Sequence, residues 1–329
     1  MEQYIGVDLH KVFFQVAALD RDGARLWEGR FPHTPLGVTA FLERCDPHGH
    51  VAVEASGPTW PFADAVAARG LSLVVVDPRK TKLKAGYAAK TDRLDARRLA
   101  DALRRDSVTG VYYPPPLVRQ LRELCRYRAS IVRLRASLKQ RIHALLLRHA
   151  VIAPRRADLF GAAGQEWLAR LELPEYAGQS LCGYRHMFHW MSEQLAHATD
   201  EVLARGAGDP VVMALDRIAG IGPVLGLMIR AEIGEIRRFP NAARLASYAG
   251  VVPRVDQSGG RCHYGPITRA GSPWLRWALV EAAIHRARQH DDVGRWARQL
   301  ALRKGPLKAR VAVAHRLCDE VFTAWPVLA

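Results

Sequence analysis

Four carboxylates and one hydroxyl have the residue types and the setting for chemistry at phosphorus. Asp8 closes the apolar run "YIGVD", Glu54 closes "HVAVE", and Asp92 and Asp95 open "TDRLDARRLA". On a helix three residues turn through about 300°, so Asp92 and Asp95 share a face while Asp101 points elsewhere. Clustered carboxylates repel one another unless a cation neutralises them. Hard oxygen ligands of this kind suit Mg²⁺ or Mn²⁺, and two such ions can clamp both sides of a phosphodiester. Arg79, Lys80, Lys82, Lys84 and Lys90 stand just before the last two acids, where a phosphate backbone would need them. Each acid also has an ordinary reading. Thr91 or Asp92 can cap a helix with Asp95 at its positive end. Asp8 can simply end a strand, and Glu54 can accept hydrogen bonds from the turn "ASGP". The set of four favours the metal reading.

Near the other end, Ser258 precedes Gly259 and Gly260 and has Arg254, Arg261 and Arg269 around it. A hydroxyl in a flexible, exposed loop among guanidinium groups can attack phosphorus while the cations stabilise the developing charge. Ser272, just before Pro273, reads as a helix N-cap. Tyr248 and Tyr264 stay open as alternative nucleophiles, because spacing does not choose among them.

The elements that must position these groups follow from pattern. "YIGVD" and "FFQVAAL" are strands, Asp22-Gly23 turns the chain into "ARLWEGRF", and a helical pattern over "GVTAFLERC" follows. Strand "HVAVEA", helix "WPFADAVAARG" and strand "LSLVVVD" complete a βββαβαβα order, expected as a mixed sheet with helices on its faces. The prolines of "YYPPP" mark a boundary. Beyond it Leu117, Leu121, Leu124, Ile131, Leu134, Leu138, Ile142 and Leu145 step at nearly heptad spacing. Leu117 to His149 carries nine Lys or Arg against the single acid Glu123, including Arg126, Arg133 and Lys139. That face suits phosphates of DNA or RNA alike. Tyr184, Met187, Phe188, Met191 and Leu195 form a second stripe, read as core and as the antiparallel mate. "LDRIAGIGPVLGLMIRAEIG" reads as a helix-hairpin-helix, with Gly220 and Gly222 allowing close approach and helix amides free to hold a phosphate. A tight interhelical turn explains the same glycines. The expected domains are 1–112, a helical region 113–208, and 209–329.

The 329-residue chain carries 48 Lys and Arg against 32 Asp and Glu, a formal charge of +16, so a polyanion is the expected partner. No apolar run reaches the roughly 18 residues of a membrane span. The N-terminus "MEQYIGVDLHK" lacks a signal-peptide layout, and the expected location is cytoplasmic. The five cysteines are scattered without zinc spacing and read as reduced thiols.

The motifs "YIGVD", "VAVEASG", "KTDRLDARRLA", "AGIG", "YAGVVPR", "QSG" and "TRAGSPWLRWAL", in this order over nearly the whole chain, resemble those of the DEDD transposases of bacterial insertion sequences, relatives of Piv-type DNA invertases. The resemblance implies a RuvC-like, ribonuclease-H-type first domain with Asp8, Glu54, Asp92 and Asp95 as its acids, and a C-terminal transposase domain with Ser258 as nucleophile. It also implies Mg²⁺, recombination guided by a structured bridge RNA, and dimers or tetramers that pair donor and target DNA. Arg269 stands where the family usually has lysine. A helix of about 30 residues spans roughly 45 Å, which allows acids and serine to come from different subunits. The runner-up is a RuvC-like metal-dependent nuclease in which water attacks. A noncatalytic nucleic-acid-binding protein is the third reading.

Overall fold

The computed structural model describes residues 2–77, 91–154, 158–258 and 261–326. The chain divides into two compact units, Met1–Tyr113 and Pro114–Ala329.

The first unit is built on alternation. Strands β1 (Tyr4–Leu9), β2 (Phe13–Leu19) and β3 (Arg25–Pro32) form an antiparallel meander, and β4 (His50–Glu54) and β5 (Ser72–Val76) add in parallel, giving the order β3-β2-β1-β4-β5. This is the expected mixed sheet. Ile5, Val7, Val51, Val53 and Val75 bury one face against Phe41 of α1 (Pro35–Leu42) and Phe62 and Val66 of α2 (Thr59–Ala68). Successive strand side chains point to opposite faces, so Gly6, Ala52 and Val76 look the other way, toward Leu99 of α3 (Asp92–Arg104).

Gly6 is where α3 meets the sheet. A Cβ placed there would lie 2.1 Å from the Ala96 carbonyl oxygen and 2.4 Å from the Ala100 nitrogen. Only a residue without a side chain lets the helix backbone approach so closely. Helix α3 starts because Thr91, in an extended conformation, accepts a hydrogen bond from the Leu94 amide. Of the two cap readings, Thr91 holds the cap, and Asp92 and Asp95 occupy the first turn. Asp101, as expected, turns away: it pairs with Arg104 and Arg105.

The second unit is helical around one small hairpin. Helices α4 (Pro116–Arg148) and α6 (Glu175–Gly206) run antiparallel, since Arg128 donates to Thr199 while Lys139 lies over Phe188. At one end Ile142, Leu145 and Leu146 of α4 and Leu181 of α6 share a cluster with Leu168 of α5 (Ala162–Arg170). At the other, Cys125 and Ala129 of α4 and Val202 of α6 join the large core of the helices that follow. The heptad seam holds in part: Ile131, Leu138, Ile142 and Leu145 are buried, but Leu117 and Leu134 are exposed. In the α6 stripe Phe188 is buried and Met187 is exposed, so one member of the expected core faces solvent.

Helices α7 (Pro210–Asp216), α8 (Pro223–Ile233), α9 (Ala242–Ala249), α10 (Pro273–Arg286), α11 (Asp292–Lys304) and α12 (Pro306–Ala324) surround the large core, with hairpin β6 (Pro253–Ser258) and β7 (Arg261–Ile267) between α9 and α10. An ion pair with a buried acid ties α8 and α10 to α4. Glu232 of α8, 1% exposed, accepts from Arg126 Nε at 2.7 Å and Nη2 at 3.0 Å, and from Ser272 Oγ at 2.8 Å. Ser272 in turn accepts from the Leu275 amide, the expected N-cap of α10. Arg122 donates to the Ala231 and Glu232 carbonyls at the end of α8.

Two substitutions test this framework. Gly6→Ala is expected to destabilise the protein by about 1–3 kcal/mol, the usual cost of overpacking, read by thermal unfolding. Glu232→Ala leaves Arg126 and Ser272 without their common acceptor, and a loss of about 3 kcal/mol is expected in the same measurement.

Candidate active site

Strand alternation and the register of the sheet carry the first unit's acids to one place. Val7 pairs with Val53, so Asp8 and Glu54 are the next residues on neighbouring parallel strands, on the face that Gly6 and Ala52 turn toward α3. The N-terminal turn of α3 brings Asp92 and Asp95 to that end of the sheet. Ligand atoms of Asp8, His10 and Asp92 all lie within 4.8 Å of one another, and Glu54 and Asp95 flank this tight group without belonging to it. Asp95 is close enough for its charge to act on Asp8, and its Oδ1 pairs with Arg98 Nη1 at 3.3 Å.

His10 is the member that pattern reading missed. Its Nε2 lies 3.2 Å from Asp8 Oδ2 and 3.5 Å from Asp92 Oδ1. Ionised carboxylates only accept, so Nε2 carries the hydrogen in this arrangement. The ring rests on Phe13, centroids 4.7 Å apart, and the His10 carbonyl accepts from His33 Nδ1 at 2.8 Å. The signal was available: a histidine two residues beyond an aspartate in extended chain falls on the same face.

These residues fit a divalent cation. Burial pushes the Asp8 carboxyl above the ordinary aspartate range; His10 pulls the other way, and the charges of Asp92 and Asp95 add to the rise. Negative charges that disfavour one another, with an imidazole between two of them, are the donor set that Mg²⁺ or Mn²⁺ neutralises. Asp8 and Asp92 would hold such an ion, with Glu54 and Asp95 beside it; His10 would join them as a ligand only with its hydrogen moved to Nδ1.

The remaining expected site residues are distributed differently. Lys80, Lys82, Lys84 and Lys90 lie outside the described residues. Arg126 is bound inside the protein to Glu232. Arg133 is exposed, with its guanidinium 4.1 Å from the centroid of Trp274, and Lys139 lies 4.8 Å from that of Phe160. Gly220, with φ +97°, meets α10 so closely that a Cβ would lie 2.6 Å from the Ala282 carbonyl oxygen, so this glycine serves packing. Gly222 caps α8, has open space where a Cβ would project, and borders a cavity of about 470 Å³.

Ser258 ends β6 and pairs with Arg261 across the hairpin, next to Gly259 and Gly260, which lie outside the described residues. Arg254 and Arg269 are exposed at the hairpin's base. Of the rival nucleophiles, Tyr248 is half-buried between Phe239 and Arg238. Tyr264 is exposed, but a hydrogen bond in which its phenol donates to neighbouring Cys262 keeps it above the ordinary value, which disfavours the phenolate.

A mixed sheet with carboxylates gathered at the ends of parallel strands and at the first turn of a covering helix is an arrangement with the donors for a divalent cation, and comparison with known proteins gives the family. Residues 5–150 match the transposase model of the IS110 DEDD group, and residues 212–299 match the transposase model of the IS116/IS110/IS902 family. The chain is 27% identical to a probable family 20 transposase of Pseudomonas aeruginosa, covering 95% of this chain and 93% of that protein. It is 27% identical to the transposase for insertion sequence element IS1328 of Yersinia enterocolitica, over 89% and 86% of the two chains, and 25% identical to that for IS1111A of Coxiella burnetii, over 95% and 86%. The chain belongs to this family of insertion-sequence transposases, enzymes that cut and rejoin DNA. No helix among the described residues is long and apolar enough to cross a membrane.

The upward shift of Asp8 has a consequence for stability. The folded chain prefers the protonated carboxyl; that contribution is whole below the ordinary aspartate value and is lost as pH rises through the folded one. At neutral pH without metal the ionised Asp8 therefore costs stability. Asp8→Asn is expected to unfold at a higher temperature than the parent protein in chelator at pH 7, and to lose at least about tenfold in Mn²⁺ affinity by calorimetric titration. Saturating Mn²⁺ should raise the parent protein's melting temperature more than the variant's.

Proposed function

We propose that this transposase cuts and rejoins DNA through a phosphoserine bond at Ser258, with the divalent cation held by the acids of a RuvC-like, ribonuclease-H-type domain of residues 1–112. The observation that carries the metal half is the convergence of Asp8 and Asp92, from a strand and a helix far apart in sequence, on one imidazole. A bound Mg²⁺ supplies a Lewis acid that draws charge from the phosphate oxygens.

Ser258 Oγ attacks phosphorus, a serine–phosphate bond forms, and the bond from phosphorus to the 3′ oxygen breaks. The proton released by the serine is balanced by the one taken up at the freed 3′ hydroxyl. That hydroxyl later attacks a phosphoserine to rejoin a strand, so bond energy is conserved and no nucleotide cofactor is needed. Arg254, Arg261 and Arg269 supply positive charge beside the hairpin. Lys80, Lys82, Lys84, Lys90, Arg133 and Lys139, with the amide end of α8 at Gly222, hold phosphates of the donor and target DNA and of a structured bridge RNA. The helical region 113–208 and the domain 209–329 provide the contacts of a homo-oligomer in which acids and serine from one or more subunits meet.

The test is a crosslink. The protein is incubated with labelled DNA, Mg²⁺ and RNA from the noncoding sequence flanking its gene, and covalently attached DNA is mapped by mass spectrometry. DNA is expected on the peptide carrying Ser258. Ser258→Ala should abolish the adduct and strand cleavage while Mn²⁺ binding is kept. Cleavage unchanged in that variant would instead establish a nuclease that uses water.

A further inference from the structure

A cavity of about 1300 Å³ in the second unit lies between the β6–β7 hairpin and helices α11 and α12. Small-molecule sites measure about 300–1,000 Å³, so this space is generous for a metabolite and suits a segment of polymer. Its floor is apolar, with Val251, Leu300 and Val311 in the lining. Two aromatic side chains stand at its sides, the half-buried Trp296 of α11 and the exposed Tyr264 of β7.

Its rim is basic. Arg269, Arg303, Lys304, Lys308 and Arg316 line it with Asp319 as the one acid among them, and all five cations are exposed. None of the five is ion-paired to an acid among the described residues. Arg316 instead stands 5.8 Å from the Trp296 ring centroid. Lysines on a convex helix spread apart in solvent, but here uncompensated cations converge on a concavity, at a cost in mutual repulsion that a polyanion removes.

The apolar floor decides which polyanion form fits. Duplex DNA presents phosphates outward and keeps base faces stacked inside, whereas an unpaired strand offers both phosphates and base faces. The cleft's position points to the strand being cut. Val255 pairs with Tyr264 and Ser258 with Arg261, so the cleft wall and the serine lie three residues apart along one strand, about 10 Å. One DNA strand can span that distance within a few nucleotides.

We infer that this cleft binds an unpaired stretch of the DNA strand close to the phosphate presented to Ser258, with phosphates on Arg303, Lys304 and Lys308 and a base against Trp296 or Tyr264. The inference rests on the serine reading for its choice of strand, but binding in the cleft needs neither metal nor covalent chemistry.

The experiment measures binding in chelator. A fluorescein-labelled oligothymidylate of about 20 nucleotides, longer than a single groove occupies, is titrated with the full-length protein by fluorescence anisotropy across a range of salt concentrations. The double variant Lys304→Glu and Lys308→Glu is expected to bind at least about tenfold more weakly, with the slope of log affinity against log salt reduced by about 1.4, two phosphate contacts at 0.7 each. Lys308→Arg should bind as the parent does. Photocrosslinking of the parent protein to a 4-thiothymidine strand should label peptides carrying Trp296 or Tyr264, a readout that survives if the double variant fails to fold. Unchanged affinity and slope in a folded double variant, or crosslinks confined elsewhere, overturns the inference. So does displacement of the strand by an equal concentration of polyglutamate, which marks an acidic protein partner. An RNA strand of the same length binding tenfold more tightly through the same lysines overturns the assignment to DNA. Cleft-dependent binding without a serine adduct sinks only the serine chemistry, and an adduct without cleft-dependent binding sinks only the cleft.

Discussion

The backbone of α3 lies against Gly6 at a separation that no side chain permits, and the first unit's site follows from that contact. It fixes how far the first turn of α3 extends over the sheet, and thus where Asp92 and Asp95 stand relative to Asp8. Bringing these carboxylates together opposes folding, because burial disfavours the ionised form of Asp8 and the charges of Asp92 and Asp95 add to the effect. The helix is held in place against that repulsion by apolar contacts further along, where Ala52, Val76 and Leu99 are buried. Metal binding then removes the repulsion, so the ion and the fold reinforce one another.

In the second unit the corresponding constraint is the carboxylate of Glu232. A buried acid is tolerated only when its oxygens are satisfied, and here a guanidinium from α4 and a hydroxyl from the start of α10 do so. The result places α10, and the loop that leads into it from the hairpin, in a fixed relation to α8. Close backbone crossings tighten the same region: a Cβ on Gly271 would lie 1.8 Å from the Tyr248 carbonyl oxygen. The hairpin carrying Ser258 thus springs from a rigid base, which is what precise positioning of a nucleophile requires.

Charge in this protein is divided between structure and surface. Arg126 and Arg122 belong to a run that reads as a uniform basic face, yet both are bound to groups of α8. By contrast Arg269, Arg303, Lys304, Lys308 and Arg316 of the α11–α12 cleft form no ion pair among the described residues, and Asp319 is the one acid in its lining. The same residue type holds helices together in one place and waits for phosphate in another, and only the distribution of acids separates the two cases.

Period-two alternation and turn chemistry were enough to read the five strands and their helices, since local sterics and burial of one face decide them. The places of Asp8 and Glu54 at strand ends and of Asp92 and Asp95 in the first turn of a helix were legible because the pattern reveals those elements. His10 carried a signal only in its spacing from Asp8, since its approach to Asp92 depends on how α3 packs on the sheet. The commitment of Arg126 to Glu232, two residues 106 positions apart, was not legible. The cleft was equally hidden: Arg303, Lys304 and Lys308 read as an ordinary solvated helix end until the hairpin is seen to close a wall opposite them. Sequence alone determined which segments form elements and which residues can do chemistry, because those follow from neighbours along the chain. Tertiary structure decided which of those groups meet, because contacts between distant segments are set by packing and by the close approaches that glycine allows.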